Sequence, residues 1–272
     1  MFDHLESHCA EILRSDPDAH PSVRLGFGGI GLRFTVRHYY DFKADRTIVG
    51  NDLGTPDSWD RLRTQTVGAF AIPATRDAFI ASARAHAEIA NRARAVDMWL
   101  TDRGAASVAS YGVGSGVLEW WMRELRPGRE IACTDYAAAT VERLNEIVPE
   151  LSARRHDLRQ DGPLHADVHL FHRIDTELDD RQWREVFERF SSVPILLVAA
   201  TILDVKTLTL ELLARPRLWR RKASRAGFLR TRAAFASLWP QTHFAQPLRI
   251  HDHDAWYLMP RAEPIRRGGV GG

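Results

Sequence analysis

The sequence predicts an α/β fold: a mainly parallel sheet with helices on both faces, preceded by a helical or mixed cap. Three observations predict it. From Ala106 onward, short apolar runs alternate with amphipathic segments of helical period. The first of those runs, Val108-Ala109-Ser110-Tyr111, opens into Gly112, Gly114 and Gly116, and a helical segment follows at once. Two strand-like runs then close the pattern with a short connection, as an antiparallel hairpin does.

The first 72 residues carry weaker signals. An amphipathic segment runs from Phe2 to Leu13, and a strand is expected from Leu32 to Tyr40. Gly26, Gly28, Gly29 and Gly31 lead into that strand. They lack the Gly-Lys-Ser/Thr ending of a phosphate loop, so a turn is expected. A long alanine-rich helix is expected from Arg76 to Leu100, with Thr75 as N-cap and Gly104 as stop signal. Phe79, Ile80, Ala83, Ala87, Ala90 and Ala93 share its apolar face, with Arg94 on the same side.

The alternating region then follows. Strands are expected over Ser107–Tyr111, Glu130–Thr134, Ala153–His156, Val168–Ile174 and Pro194–Thr201. Helices are expected over Val117–Leu125, Ala137–Val148, Asp180–Phe190, Leu203–Ala214 and Ala233–Leu238. The closing strands are Phe244–His251 and Ala255–Met259. The expected organisation is a cap over residues 1–104, a ligand-binding domain over 105–262 and a flexible tail over 263–272.

Bulk properties narrow the function. A chain of 272 residues can bury a large core. Its composition, 44% hydrophobic and 26% charged, is that of a soluble protein. No run of about 18 apolar residues is present, so no membrane insertion is expected. Acids come early in Met1-Phe2-Asp3-His4-Leu5-Glu6, which argues against a signal peptide. Cys9 and Cys133 are too far apart for a metal motif or a disulfide framework. A cytoplasmic protein without a metal is the expectation.

The net charge is only +2. Yet Arg215, Arg217, Arg220, Arg221, Lys222, Arg225, Arg230, Arg232 and Arg249 lie in an interval free of acids between Glu211 and Asp252. That stretch is either a solvated helical face or a patch for an anionic ligand.

In open α/β sheets, ligands sit at the carboxyl ends of the strands. Gly112, Gly114 and Gly116 end the first strand there and allow close approach of the main chain to a ligand. The helix that follows turns its free N–H groups toward the same place. Asp135 ends the second strand, nineteen residues beyond Gly116, where a carboxylate can accept from both ribose hydroxyls. The same Asp135 can serve as helix N-cap. Asp157 and Leu158 end the third strand, where they can take an adenine amine and pack on its ring. His172-Arg173-Ile174-Asp175 ends the fourth.

Together these residues resemble the class I S-adenosylmethionine-dependent methyltransferases, over about residues 105 to 260. The resemblance implies a Rossmann-like, seven-stranded sheet with an antiparallel last strand. It implies that S-adenosylmethionine is the cofactor and S-adenosylhomocysteine the product. Tyr111, Gly112, Gly114 and Gly116 would lie along the cofactor, Asp135 at its ribose and Tyr136 against its adenine. Asp157 and Leu158 would take the adenine edge, and His172 would line the pocket. The family usually carries an acid two positions before the first glycine. Here that position is Ser110, and another acid can supply the charge.

The expected acceptor is an oxygen, or a nitrogen, of a small molecule or glycan-type metabolite, with anionic acceptors included. His172 is the candidate general base, because imidazole titrates near neutral pH. Asp175 would orient it or act alone. The cap would select substrate, with Tyr39, Tyr40 and Asp41 as candidate contacts.

Other readings stand beside this one. A nicotinamide-dependent oxidoreductase wants a small residue where Val117 stands. A non-catalytic binding protein on the same fold is the second. RNA is a further acceptor class, because Trp219 and Trp239 accompany the basic stretch, but no RNA-binding module is recognisable. The His251-Asp252-His253-Asp254 run is expected to be a hairpin loop and not a metal site. His156, His165 and His169 are expected to be structural or exposed.

Overall fold

The computed structural model describes residues 33, 35–40, 56–64, 71–204, 207–209, 212–213, 216 and 224–261. Its strands are β1 (Thr35–Tyr40), β2 (Ser107–Tyr111), β3 (Glu130–Asp135), β4 (Arg154–Arg155), β5 (Val168–His172), β6 (Ile195–Val198), β7 (Ser224–Arg230), β8 (His243–Ile250) and β9 (His253–Pro260). Its helices are α1 (Pro56–Arg63), α2 (Arg76–Ala85), α3 (Ala87–Asp102), α4 (Val117–Leu125), α5 (Ala138–Ile147), α6 (Asp180–Arg189) and α7 (Arg232–Ala236).

Seven strands form one sheet in the order β4-β3-β2-β5-β6-β9-β8. The first five run parallel, and β9 is antiparallel to both β6 and β8. The last strand in sequence is therefore the antiparallel one, inserted beside β6. β8 is the edge, mostly exposed, and tolerates Pro247, which has no amide to donate.

Strand alternation divides the core into two layers. Val108, Leu170, Leu196 and Val198 face one layer, with Phe79, Val96 and Leu100 from α2 and α3 and Leu118 and Trp120 from α4. Ala109, Tyr111, Phe171 and Leu197 face the other, with Trp183 and Phe187 from α6 and Phe235 from α7. Residues one apart on a strand point to opposite faces, so β2, β5 and β6 are covered on both sides.

Local signals account for the helix starts. Gly116 takes a left-handed φ of 70° and releases α4 at Val117. The Asp179 side chain accepts from the Gln182 amide at 2.7 Å, and Gln182 returns the bond to the Asp179 amide at 3.0 Å. This capping box starts α6. Thr75 caps α2 through the Ala78 amide.

The structure departs from the expectations in several places. The long helix is broken at His86, whose φ of −93° and ψ of 73° leave α2 and α3 as separate helices. Ala87 is exposed, and α3 instead buries Ala93, Val96, Trp99 and Leu100. Of the expected Leu203–Ala214 helix, residues 207–209 and 212–213 are helical. The expected first strand does form, but outside the main sheet: β1 pairs antiparallel with β7. β7 itself lies in the basic stretch, where no strand was expected. Pairing between β1 and β7 crosses the boundary expected at residue 104. The early glycine cluster, Asp41 and the tail over 263–272 lie outside the described residues. No helix among the described residues is long and apolar enough to cross a membrane.

Candidate active site

The site begins where β2 and β3 end side by side. Gly112, Gly114 and Gly116 all take left-handed φ values, 66°, 56° and 70°. A Cβ on Gly112 would lie 2.6 Å from the Ile174 side chain, and one on Gly114 would lie 2.5 Å from the Arg63 guanidinium. The turn is tied to β3 by Asp135, whose carboxylate accepts from the Gly114 amide at 2.9 Å and the Ala137 amide at 3.0 Å. Asp135 is not the N-cap of α5, which is Ala137. Burial raises the Asp135 pKa, while the Ala137 amide and the Arg63 charge oppose that rise.

Two adjoining cavities open at this sheet end. The first, of about 270 Å³, is bounded by Gly112, Tyr136, Asp157, Leu158 and Trp183. The Arg159 guanidinium lies 5.2 Å from the Tyr136 ring centre. It also takes both oxygens of Asp157, the shortest contact being 2.7 Å. Leu158 is positioned through its carbonyl, which accepts from Arg189 at 2.7 Å.

The second cavity, of about 280 Å³, shares Gly112, Tyr136 and Glu177 with the first and extends past Asp135 to His172. Glu119 stands on its wall, in the first turn of α4. The Ser110 hydroxyl donates to Glu119 Oε1 at 2.7 Å, while Oε2 has no partner among the described residues. Burial pushes the Glu119 pKa up to about 7, against the opposing bond from Ser110. Glu177 is also pushed up to about 7 by burial, opposed by a 3.1 Å bond from Trp59 Nε1 and the nearby Arg63 charge. An acid is therefore present beside Ser110, supplied by the next helix.

His172 lines this cavity, half-buried, with Nε2 unpartnered among the described residues. Burial, and then the charges of Arg92, Arg173 and His253, hold its pKa well below 6.5. It is neutral at physiological pH, the form that can accept a proton.

No protein-family model matches the chain, and no curated protein sequence matches it. Solved structures do. Human N-acetylserotonin methyltransferase, crystallised with S-adenosylmethionine, aligns with 63% of this chain and 52% of its own, at 18% identity and a TM-score of 0.50. An O-methyltransferase family protein from Burkholderia thailandensis aligns with 78% of this chain and 64% of its own, at 16% identity and a TM-score of 0.54. This is a class I methyltransferase fold. The chain spans about half to two thirds of the length of these neighbours.

Within the methyltransferase fold, most of the expected residues converge. Gly112, Gly114, Asp135, Tyr136, Tyr111 and His172 bound the second cavity, and Asp157 and Leu158 bound the first. The Tyr111 ring is core, packed on Phe171 and Phe190. Its hydroxyl is hydrogen-bonded to His169 Nδ1 and to the Leu164 amide, both at 3.0 Å, and burial pushes its pKa up to about 12.

Asp175 does not orient His172. Its carboxylate accepts from the Ala200 amide at 2.6 Å, toward the end of β6. Arg173, at a left-handed φ of 59°, reverses the chain between the two residues. Burial pushes the Asp175 pKa up to about 6, and the residue lies on neither cavity wall.

The basic stretch is not one patch. Arg230 is fully buried and donates to Asp180 at 2.7 Å and to the Asp175 and Leu178 carbonyls. Arg232 pairs with Asp254 at 2.6 Å. Arg215, Arg217, Arg220, Arg221 and Lys222 lie outside the described residues. Trp239 is core, 2% exposed, so it offers no stacking surface to RNA. Of the run expected to be a hairpin loop, His251 and Asp252 form the β8–β9 turn, while His253 and Asp254 already belong to β9. Trp59 and Arg63 on α1 and Glu119 on α4 were not anticipated. The readable signals were the i, i+4 spacing of Trp59 and Arg63 and a lone acid on the apolar face of α4.

Proposed function

We propose that this protein is an S-adenosylmethionine-dependent methyltransferase that methylates an oxygen of a small-molecule acceptor. One observation carries the reading: the glycine turn shares one cavity wall with three acids, the buried Glu119 and Asp135 and the half-buried Glu177. Carboxyls whose pKa burial raises suit a cationic ligand, which stabilises their charged form. The bound cofactor supplies a methyl group already activated by a positive sulfonium.

The protein's own residues do the rest. The unpartnered Glu119 Oε2 would accept from the cofactor's ammonium. Asp135 keeps acceptor capacity on each oxygen for ribose hydroxyls, because a carboxylate offers about four lone-pair sites. Leu158 and Tyr136 would flank the adenine, with Asp157 held at its edge by Arg159. Trp59 and Arg63 of α1 would cover the cavity and exclude water, the selecting role expected of the cap. Neutral His172 would take the proton from an acceptor hydroxyl as the oxygen attacks in line. Such alignment and proton removal are the main contributions a protein can make to this reaction.

Titration with S-adenosylhomocysteine, followed by labelled methyl transfer from S-adenosylmethionine to a panel of phenols and hydroxy acids, tests the reading. Binding, with transfer abolished in His172→Ala, is the expected result. Absence of binding at millimolar S-adenosylhomocysteine would sink it.

A further inference from the structure

The wall of the second cavity also carries cations beside His172. Arg92, on α3, is 4% exposed. Its hydrogen bond is to His253 Nε2 at 2.7 Å, and its Nε is buried without a partner among the described residues. No carboxylate of the described residues lies within ion-pair distance of it; Asp252 and Glu88 act on it only at longer range. Arg173, at the end of β5, has no such partner either, and its charge acts directly on Arg92. Both arginines line the cavity beside His172.

This arrangement is unfavourable as it stands. An arginine cannot shed its proton, and a buried cation is costly unless paired. Here the neighbours of Arg92 are a second arginine and two histidines, with the Asp252 carboxylate behind one of them, 3.5 Å from His253 Nε2. The cavity's acids do not compensate. The cation acting most on Asp135 and Glu177 is Arg63, and the charge acting most on Glu119 is that of Asp135. Arg173 does act on Asp175, whose carboxylate is turned to the Ala200 amide.

We propose that Arg92 and Arg173 form an oxyanion-binding site beside His172, filled by a carboxylate or phosphate group. The site deepens the methyltransferase reading, and its assignment to the acceptor rests on that reading. Arg92 is anchored to the first residue of β9, four strands along the sheet from β3 and Asp135. At about 4.8 Å per strand, that anchor is roughly 19 Å from the expected ribose position, and Arg173, just past β5 and two strands from β3, is roughly 10 Å away. An oxyanion there belongs to an acceptor whose hydroxyl lies at His172, which makes hydroxy acids or phosphorylated alcohols the substrate class. The other source of such a group is the cofactor's own carboxylate.

Calorimetric titrations separate these sources. The probes are inorganic phosphate and benzoate, on the protein alone and saturated with S-adenosylhomocysteine. The proteins are the parent chain, Arg92→Gln and Arg173→Asn; asparagine tolerates the left-handed backbone and this position is exposed, so the second variant survives if the first does not fold. Expected is probe binding that weakens with salt and falls at least about tenfold in either variant. The affinity for S-adenosylhomocysteine should change less than about twofold. If S-adenosylhomocysteine itself weakens at least about tenfold while 5′-methylthioadenosine, which lacks the amino-acid end, does not, the site stands with the cofactor's carboxylate as occupant. Phosphate, benzoate and S-adenosylhomocysteine all binding the variants as they bind the parent overturns the site. Arginine-dependent benzoate binding by a protein that ignores S-adenosylhomocysteine upholds the oxyanion site and overturns the methyltransferase reading alone.

Discussion

Glu119→Gln should make the ligand-free protein more stable and the cofactor complex weaker. Burial holds the Glu119 carboxyl at about 7 instead of its ordinary 4.5. The folded chain therefore keeps a proton that the unfolded chain releases between those two values. Stability falls as pH rises through that window, and the full cost is present above it. At about 1.4 kcal/mol for each pH unit, the cost at pH 8 is on the order of 3 kcal/mol. Glutamine removes it while keeping an oxygen for the Ser110 hydroxyl. At roughly 2 °C per kcal/mol for a chain of this size, the variant should melt about 6 °C higher at pH 8 and close to the parent at pH 4.5. Binding should move the other way. The ammonium would lose its charged partner, and S-adenosylhomocysteine affinity should fall at least about tenfold. Thermal melts at both pH values, with and without S-adenosylhomocysteine, give both quantities. A variant no more stable than the parent at pH 8 would refute the burial argument. Unchanged affinity would refute the role of Glu119 in holding the cofactor.

Four further outcomes are expected. Asp135→Ala should weaken S-adenosylhomocysteine by about tenfold or more in calorimetry, since the ribose contacts go together with the bonds that shape the glycine turn. His172→Ala should leave that affinity within about twofold and lower turnover by roughly a hundredfold or more. Because His172 is held well below 6.5, the parent's rate should not fall as pH drops to 6.5; a loss centred there would place the base elsewhere. Arg230→Met should cost about 3 kcal/mol in urea denaturation, because it leaves Asp180 with only the Thr35 hydroxyl and removes the donor to two backbone carbonyls.

The cost carried by Glu119 has the form expected of a binding site. A carboxyl that would prefer water is kept in the core, one oxygen bonded to Ser110 and the other left open to the cavity. Stability is forgone where a charged ligand can restore it. The same holds for Arg92. The cavity wall thus carries acids and cations together: Glu119, Asp135 and Glu177 with Arg63, and Arg92 and Arg173 with His172. A cationic donor and an anionic acceptor would each find a partner in one space.

Much of the fold can be read from local sequence. The bounds of α4 follow from Gly116 and an apolar face, and α6 follows from Asp179 and Gln182. The break at His86 has no comparable signal, since neither glycine nor proline marks it. β7 was hidden because Ser224–Arg230 shows charge more plainly than alternation, and its pairing partner lies almost two hundred residues earlier, at Thr35–Tyr40. The glycine turn, Asp135 and His172 were legible because each stands at a strand end. Glu119 was not, because its role depends on a serine nine residues before it.

The sequence by itself determined the alternation of strand and helix, the antiparallel hairpin and the glycine turn with Asp135 opposite it. These follow from periodicity and backbone preference, which act over a few residues. The tertiary structure alone decided which charges meet. It spent Arg230 on Asp180, turned Asp175 to the Ala200 amide, set Glu119 beside Ser110 and put Arg92 and Arg173 on the wall of one cavity. Such pairings join residues distant in the chain, and their energy depends on burial, which no local pattern records.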